Sequence, residues 1–279
     1  MPEVNRVAEH YNNIKSLGIE GRKVSEIIAV REVNNFIKLK LIEKYIQKNH
    51  TVFDMGCGKG GDLSKLKYAN IKKYYGCDIA EDSLKEALER SLSHRFKINL
   101  MNADFTKDKI VLEDKVDLAM SQFSFHYSFV DEVSVRKAVM NVCNNLKKGG
   151  VFIMTVPDKN VIIRRSDRNT VDGSFGNKYH KITINSSFKT NKLFGRGYNF
   201  FLHEAVTGCE EYLTDIEYLT DLFREKGLVK ILDTDFLSFL NSEMNNDPAT
   251  YKRMVKNTLS KEEVPIIELY RAVAFRKEA

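Results

Sequence analysis

A doubly wound α/β fold with a mostly parallel central sheet is predicted by two features of the sequence. Short apolar strands alternate with helical stripes, and a glycine-rich turn joins the first strand to a helix. Val33, Ile37, Leu41 and Tyr45 recur every four positions, a helical stripe, with Asn34 and Lys38 together on a neighbouring face. TVFDMGCGKGGDL then reads as a strand, a glycine turn and a helix start, and KKYYGCDI as a second strand ending in Asp78. A helix, EDSLKEALERSL, follows; FKINLMNADF gives a third strand ending near Asp104, and VDLAMSQFSFHY a fourth ending near Gln122. The helix VRKAVMNVCNNLKKGG is expected to stop at Gly149 and Gly150, ahead of a fifth strand, VFIMTVPD. Such alternation calls for parallel strands joined by crossover helices. Residues from about 160 to 206 break it with the short runs YHKITINSS and YNFFLHEAV, typical of an antiparallel insertion. A helix near residues 215–226 and a last strand, ELYRAVAFRK, complete the pattern. With no Gly/Ser-rich linker and no internal repeat, residues 1–279 read as a single domain carrying that insertion.

Composition narrows the class of partner more than the chemistry. An apolar fraction of 43% and a charged fraction of 29% describe an ordinary globular chain and exclude a disordered or fibrous one. The net charge of +6 favours an anionic partner, phosphate above all. Cys57, Cys77, Cys143 and Cys209 show no CxxC pairing and no histidine at zinc-ligand spacing, so free thiols are expected. The sequence begins MPEVNRVAEHYNN without an apolar core of the signal-peptide kind, and no apolar run is long enough to span a bilayer.

Gly56-Cys57-Gly58-Lys59-Gly60-Gly61 satisfies the GxGxxG pattern, and Asp78 follows at the distance of a ribose-binding acid, so a nicotinamide dinucleotide is one reading. Asp54 before the turn and Asp62 after it weigh against that. They would repel a pyrophosphate, whereas S-adenosylmethionine presents an ammonium and a sulfonium that carboxylates stabilise. Asn102-Ala103-Asp104-Phe105 adds an acceptor for an adenine amine and an apolar wall for its ring. Lys59, inside a glycine turn, has little to pack against and is expected to point at whatever binds there.

The run DMGCGKGGDL with Asp78 resembles the S-adenosylmethionine motif of class I methyltransferases, whose central sheet has seven strands. HYNN at residues 10–13, REVNNFIKLKLI at 31–42, QFSFHYSF at 122–129, VPD at 156–158 and EEYLT at 210–214 together resemble eukaryotic mRNA cap (guanine-N7) methyltransferases over most of the chain. Phe36 stands in NNFIK where that family often has tryptophan, one apolar ring for another. The resemblance implies that Lys38 meets the donor's carboxylate, while Gly56, Asp78, Asp104, Phe105 and Gln122 line the rest of its pocket, to which their charges beside the turn add Asp54 and Asp62. It implies that His126, Tyr127, Pro157, Glu211 and Tyr270 hold guanine, and that Asn34, Lys59 and Arg90 face the triphosphate. The insertion would add to the cap pocket. The implied partners are the GpppN end of RNA, other capping enzymes and the RNA polymerase II machinery. A nuclear monomer is expected, with no membrane.

Guanine N7 carries a free lone pair, so its methylation needs no general base and no metal. The six histidines are scattered without metal-ligand spacing, and positioning by His126, Tyr127 and Glu211 would carry the catalysis. Outside this family order, Lys38 reads as a solvated lysine, Glu211 beside Glu210 as surface charge, and His126 and Tyr127 as packing. The rival readings are a class I methyltransferase acting on a small molecule or an RNA ribose hydroxyl, then a nicotinamide-dependent oxidoreductase, then a non-catalytic RNA-binding module.

Overall fold

The computed structural model describes residues 24–169 and 173–278. At its centre lies β1 (Thr51–Met55), buried at all five positions and flanked in parallel by β2 (Lys73–Asp78) and β4 (Val116–Gln122). Burial on both faces is why β1 sets Val52, Phe53 and Met55 on opposite faces without an exposed position. β3 (Lys97–Asn102) extends the sheet beyond β2, and β5 (Leu146–Pro157) extends it beyond β4. Two antiparallel pairings close the far edge, β11 (Tyr270–Lys277) against β5 and β10 (Leu228–Asp235) against β11. The seven strands run β10-β11-β5-β4-β1-β2-β3. Strand order reverses between β1 and β4, and the crevice at the carboxyl ends of those strands is where such sheets bind ligands.

Side chains alternate between two apolar layers. Val52 packs with Val33, Phe36 and Ile37 of α1 (Ile28–Glu43) on one face. Phe53 and Met55 pack with Val135 and Val139 of α4 (Glu132–Asn145) on the other. Two further helices complete the crossovers, α2 (Leu63–Lys67) after β1 and α3 (Glu81–Ser91) after β2. α5 (Lys159–Asn169) then leads into a second sheet of β6 (Ser174–Gly176), β7 (His180–Ile184), β8 (Gly197–Leu202) and β9 (Val206–Tyr212), all antiparallel. The turn between β8 and β9 is tied to α1, where Arg31 Nη2 donates to the Glu204 carbonyl at 2.9 Å. After α6 (Ile216–Arg224) and β10 come α7 (Phe236–Asn246), α8 (Pro248–Met254) and α9 (Val264–Ile267).

Three boundaries differ from the sequence reading. The helix expected to stop at Gly149 and Gly150 ends at Asn145, and both glycines lie inside β5. Gly149 takes φ +75° opposite a register slip between Val116 and Leu118, so the glycines serve a β-bulge, not a helix cap. The first ten residues or so of the expected antiparallel insertion belong to the helix α5, and the sheet continues past residue 206 to Tyr212. β10 is a half-exposed edge strand without an apolar run, which left it and the helices α7 and α8 unread. The HYNN segment at residues 10–13 lies outside the described residues.

Asn141 on α4 fixes the loop that leaves β3. Its Oδ1 accepts from the Ile110 N–H, and its Nδ2 donates to the Phe105 and Asp108 carbonyls, all at 2.9 Å. Losing that buried amide leaves backbone groups unpaired at ~1–3 kcal/mol each. Asn141→Ala is therefore expected to lower the melting temperature and raise amide exchange across residues 104–112; unchanged exchange there would show that the loop holds itself.

Candidate active site

The glycine turn is held by backbone bonds that leave its inner face bare. Gly56 and Cys57 N–H both donate to the Cys77 carbonyl, at 2.9 and 3.0 Å. Gly58 N–H donates to Asp78 Oδ2 at 2.7 Å, and Ala80 N–H to Oδ1 at 2.9 Å. Burial raises the Asp78 pKa against the pull of these N–H groups. Gly56 sits at φ +79°, and a Cβ there would lie 2.4 Å from Ser124 Oγ, so only glycine fits. Nothing lies within 4 Å of where a Cβ of Gly58 or Gly61 would be. That open space belongs to a cavity of about 1180 Å³.

Lys38, Gly56, Asp62, Asp78, Asp104, Phe105 and Gln122 all line this cavity, so seven of the eight expected donor contacts meet in one place. An adenosine fits their chemistry. Asp78 offers acceptor oxygens for ribose hydroxyls, Phe105 an apolar wall, and Gln122 a buried Nε2 that has no partner of its own. Gln122 Oε1 is held by the Thr155 hydroxyl at 3.0 Å, which fixes the amide's direction. Asp104 Oδ1 accepts from the Thr106 N–H at 2.9 Å and the Thr106 hydroxyl at 2.6 Å. At the opposite end, Lys38 Nζ lies 2.8 Å from Asp62 Oδ1, and Lys65 Nζ lies 2.7 Å from the same oxygen. Burial alone would raise the Asp62 pKa, but the two lysines hold it below the usual carboxylate range.

Asp54 is the eighth, and it is not in the wall. It is fully buried beneath the turn, accepting from the Tyr74 hydroxyl at 2.8 Å. Burial first, then the negative charge of Asp62, push its pKa up to about 8. The turn is therefore not flanked by two bare carboxylates as its sequence suggests: Asp54 holds a proton at neutral pH, and Asp62 is neutralised by lysines.

Beside the cavity lies a buried cluster holding the expected guanine contacts. Glu211 Oε2 accepts from the Tyr198 hydroxyl at 2.9 Å, and Oε1 lies 3.5 Å from His126 Nε2. The His126 ring sits 4.3 Å from that of Tyr127, which lines the cavity. Pro157 and Tyr270 face each other across the β5–β11 pairing, and Tyr270 stacks edge-on against Phe123 at 4.9 Å. His126 and Glu211 are 1% and 5% exposed, so neither is the surface charge that its sequence context would suggest.

The expected phosphate contacts are placed differently. Lys59 Nζ lies 2.6 Å from Glu86 and Arg90 Nη2 lies 3.4 Å from it, so both reach a shared carboxylate on α3. Lys59 accordingly packs against the helix and does not project freely, and neither residue nor Asn34 lines the cavity.

Three residues of consequence went unread. Tyr198 lies in the insertion and orients Glu211. Phe123 takes φ +57°, held by its N–H bonds to the Thr155 carbonyl and hydroxyl at 3.0 Å, and lines the cavity. Such strain in a non-glycine residue concentrates at functional sites. Ser124 bonds the Met55 carbonyl at 2.8 Å and so joins β1 to β4. None of the three carries a local sequence signal.

No group of three or more His, Cys, Asp or Glu able to hold a metal occurs among the described residues. The four cysteines are free and buried, as expected. No helix among the described residues is long and apolar enough to cross a membrane.

This sheet order and glycine turn are those of the class I methyltransferase fold. The fold matches a solved structure from Listeria monocytogenes described as a putative S-adenosylmethionine-dependent methyltransferase (TM-score 0.58, 17% identity, 90% of this chain and 99% of that one). It also matches one from Clostridium acetobutylicum (TM-score 0.55, 18% identity, 89% and 92%). The family model described as the mRNA (guanine-N(7))-methyltransferase domain matches residues 3–278. The mRNA cap guanine-N(7) methyltransferase of Caenorhabditis elegans is 37% identical over 85% of this chain and 68% of its own length. For mRNA cap guanine-N(7) methyltransferase 1 of Oryza sativa subsp. japonica the figures are 34%, 98% and 81%. A Cryptococcus neoformans relative is 33% identical over 88% of this chain, which spans only 36% of that protein. The chain belongs to the mRNA (guanine-N(7))-methyltransferase family.

The raised Asp54 pKa has a signed consequence. Folding then costs nothing extra below about pH 4, and stability is lost as pH rises from there through about 8. Asp54→Asn, which keeps the acceptor for Tyr74, is expected to gain on the wild type in urea midpoint between pH 5 and 8. Parallel midpoint curves would mean that Asp54 is already ionised.

Proposed function

We propose that this chain transfers a methyl group from S-adenosylmethionine to guanine N7 of the GpppN end of RNA. The observation that carries the reading is a cavity lined by Lys38, Asp78 and Gln122 whose wall residue Tyr127 packs on His126 of a buried Glu211–His126–Tyr198 cluster. When bound, the donor supplies an electrophilic methyl on its sulfonium. Lys38 meets the donor's carboxylate, Asp78 accepts from its ribose, Asp104 accepts from its adenine amine, and Phe105 packs on the ring. Asp54 acts from below the turn and Asp62 from beside Lys38.

Guanine presents N1–H and its exocyclic amine side by side, and the Glu211 carboxylate can accept from both. Charge-assisted bonds of this kind are roughly twice as strong as neutral ones. Tyr198 keeps that carboxylate from turning. Methylation makes the purine cationic, so the Glu211 charge favours the transition state over the neutral ground state. Tyr127, Pro157 and Tyr270 supply flat walls, and His126 backs the carboxylate. In this reading Lys59 and Arg90, which both reach Glu86, and Asn34 meet the triphosphate. No side chain has to remove a proton from the acceptor.

In this reading residues 1–279 act as one catalytic domain, with β8 and β9 of the insertion supplying Tyr198 and Glu211 to the cap pocket. The partner is capped RNA in the nucleus, alongside other capping enzymes and the RNA polymerase II machinery, with the chain acting as a monomer and needing no metal.

Incubation with labelled S-adenosylmethionine and GpppA is expected to yield 7-methylguanine on nuclease digestion, undiminished by EDTA. Label on a ribose hydroxyl instead would transfer the chain to a base-dependent reaction.

Glu211→Gln retains the shape and loses the charge. Turnover on GpppA is expected to fall by about a hundredfold, the worth of one lost charge-stabilising contact. The preference for guanosine over inosine caps should shrink as well, and wild-type preference in that variant would place guanine elsewhere.

A further inference from the structure

The cation at the donor's carboxylate end is not a single lysine. Lys65 lies behind Lys38 on α2, its side chain only 7% exposed. Its ammonium reaches Asp62 Oδ1 at 2.7 Å, Asn35 Oδ1 at 2.9 Å and the Gly61 carbonyl at 3.2 Å. Three hydrogens have three acceptors, and Lys65 is absent from the cavity wall. Lys38 and Asp62, by contrast, both stand in that wall, with Lys38 Nζ at 2.8 and 3.0 Å from the two Asp62 oxygens. Taken by themselves these two would cancel. A ligand carboxylate would be drawn by one and pushed by the other across nearly equal distances, in a buried site where both forces are amplified.

We propose that Lys65 is a positioning residue for the donor's carboxylate: by neutralising Asp62 from behind, it leaves the Lys38 charge uncompensated toward the ligand. It acts through Lys38 and touches no substrate. The inference rests on the reading that Lys38 receives that carboxylate. The triad then carries one net positive charge, and the same bonds join α1, the glycine turn and α2 in one fixed arrangement. A lysine that merely tied these elements together would serve every adenosine ligand alike, whereas a charge-setting lysine serves only those bearing a carboxylate.

Calorimetry with two ligands separates the two roles. S-adenosylhomocysteine has both the ammonium and the carboxylate, and 5′-(3-aminopropyl)thioadenosine has the ammonium alone. The ratio of their affinities reads the carboxylate contact without turnover. Lys65→Gln is expected to lower that ratio by about tenfold, the order of a charge-assisted contact. Lys65→Arg should retain the ratio within about threefold by keeping the charge. Asp62→Asn with Lys65→Gln removes one charge of each sign, returns the net charge to the wild-type value, and should restore the ratio; this variant also serves if Lys65→Gln alone does not fold. An equal loss for both ligands in Lys65→Gln, or a double variant whose ratio stays low, overturns the proposal. Lys38→Met tests the underlying reading. A fallen ratio there with an unchanged ratio in Lys65→Gln defeats the role of Lys65 alone, whereas an unchanged ratio in Lys38→Met removes the carboxylate from this end altogether and the proposal with it.

Discussion

The site depends on how closely the ends of β1 and β4 approach each other. Ser124 bonds the Met55 carbonyl and Ser121, and its Oγ fills the space that a side chain on Gly56 would need. That contact closes the crevice floor at the point where strand order reverses. The glycine turn lies over Asp78, and Phe123 beside it is held in a left-handed conformation by Thr155. The Asp78 carboxylate thus stands on one side of the crevice and the Phe123 ring on the other.

Charge around the turn is arranged by burial more than by composition. Four carboxylates (Asp54, Asp62, Asp78, Asp104) stand near it, yet they do not act as four negative charges. Asp54 keeps its proton because burial and the nearby Asp62 charge outweigh the hydrogen bond from Tyr74. Asp62 ionises because two lysines surround it, and Asp78 is held by backbone N–H groups. The cavity is left with a cationic end at Lys38 and an acceptor-lined end at Asp78. A zwitterionic nucleoside that is long, flat and apolar at its far end meets matching chemistry along that axis.

The acceptor side follows from a different principle. Glu211 is unsupported in its own strand, and a buried carboxylate without partners would be costly. Tyr198 crosses from the neighbouring strand to hold it, and His126 approaches from the turn after β4. The insertion sheet therefore does more than cover the crevice, because it delivers both the carboxylate and the hydroxyl that orients it. The tie from Arg31 to Glu204 keeps that sheet against α1, so the cavity and the Glu211–Tyr198 pair share one frame.

The run of parallel strands, the glycine turn and the carboxylate at the end of β2 were legible in the sequence because each rests on a local rule. Parallel strands buried on both faces must be apolar throughout, a backbone at φ +79° against a neighbour must be glycine, and a carboxylate at a strand end must lie over that turn. The seven residues that meet in the cavity were readable because their segments stand in family order. What only the tertiary structure decided is where long side chains end. Lys59 could reach a ligand or a carboxylate, and Glu86, placed by α3, took it. Asp54 and Asp62 look alike beside the same turn, but one faces Tyr74 and the other two lysines, so their charges differ. Gly149 and Gly150 follow a helix in sequence and yet belong to a bulge in β5, because pairing with β4 outweighs a cap signal. Tyr198 and Lys65 carry no sequence mark at all. Their parts depend on contacts across strands and between helices, and a distance through space has no counterpart in the order of residues along the chain.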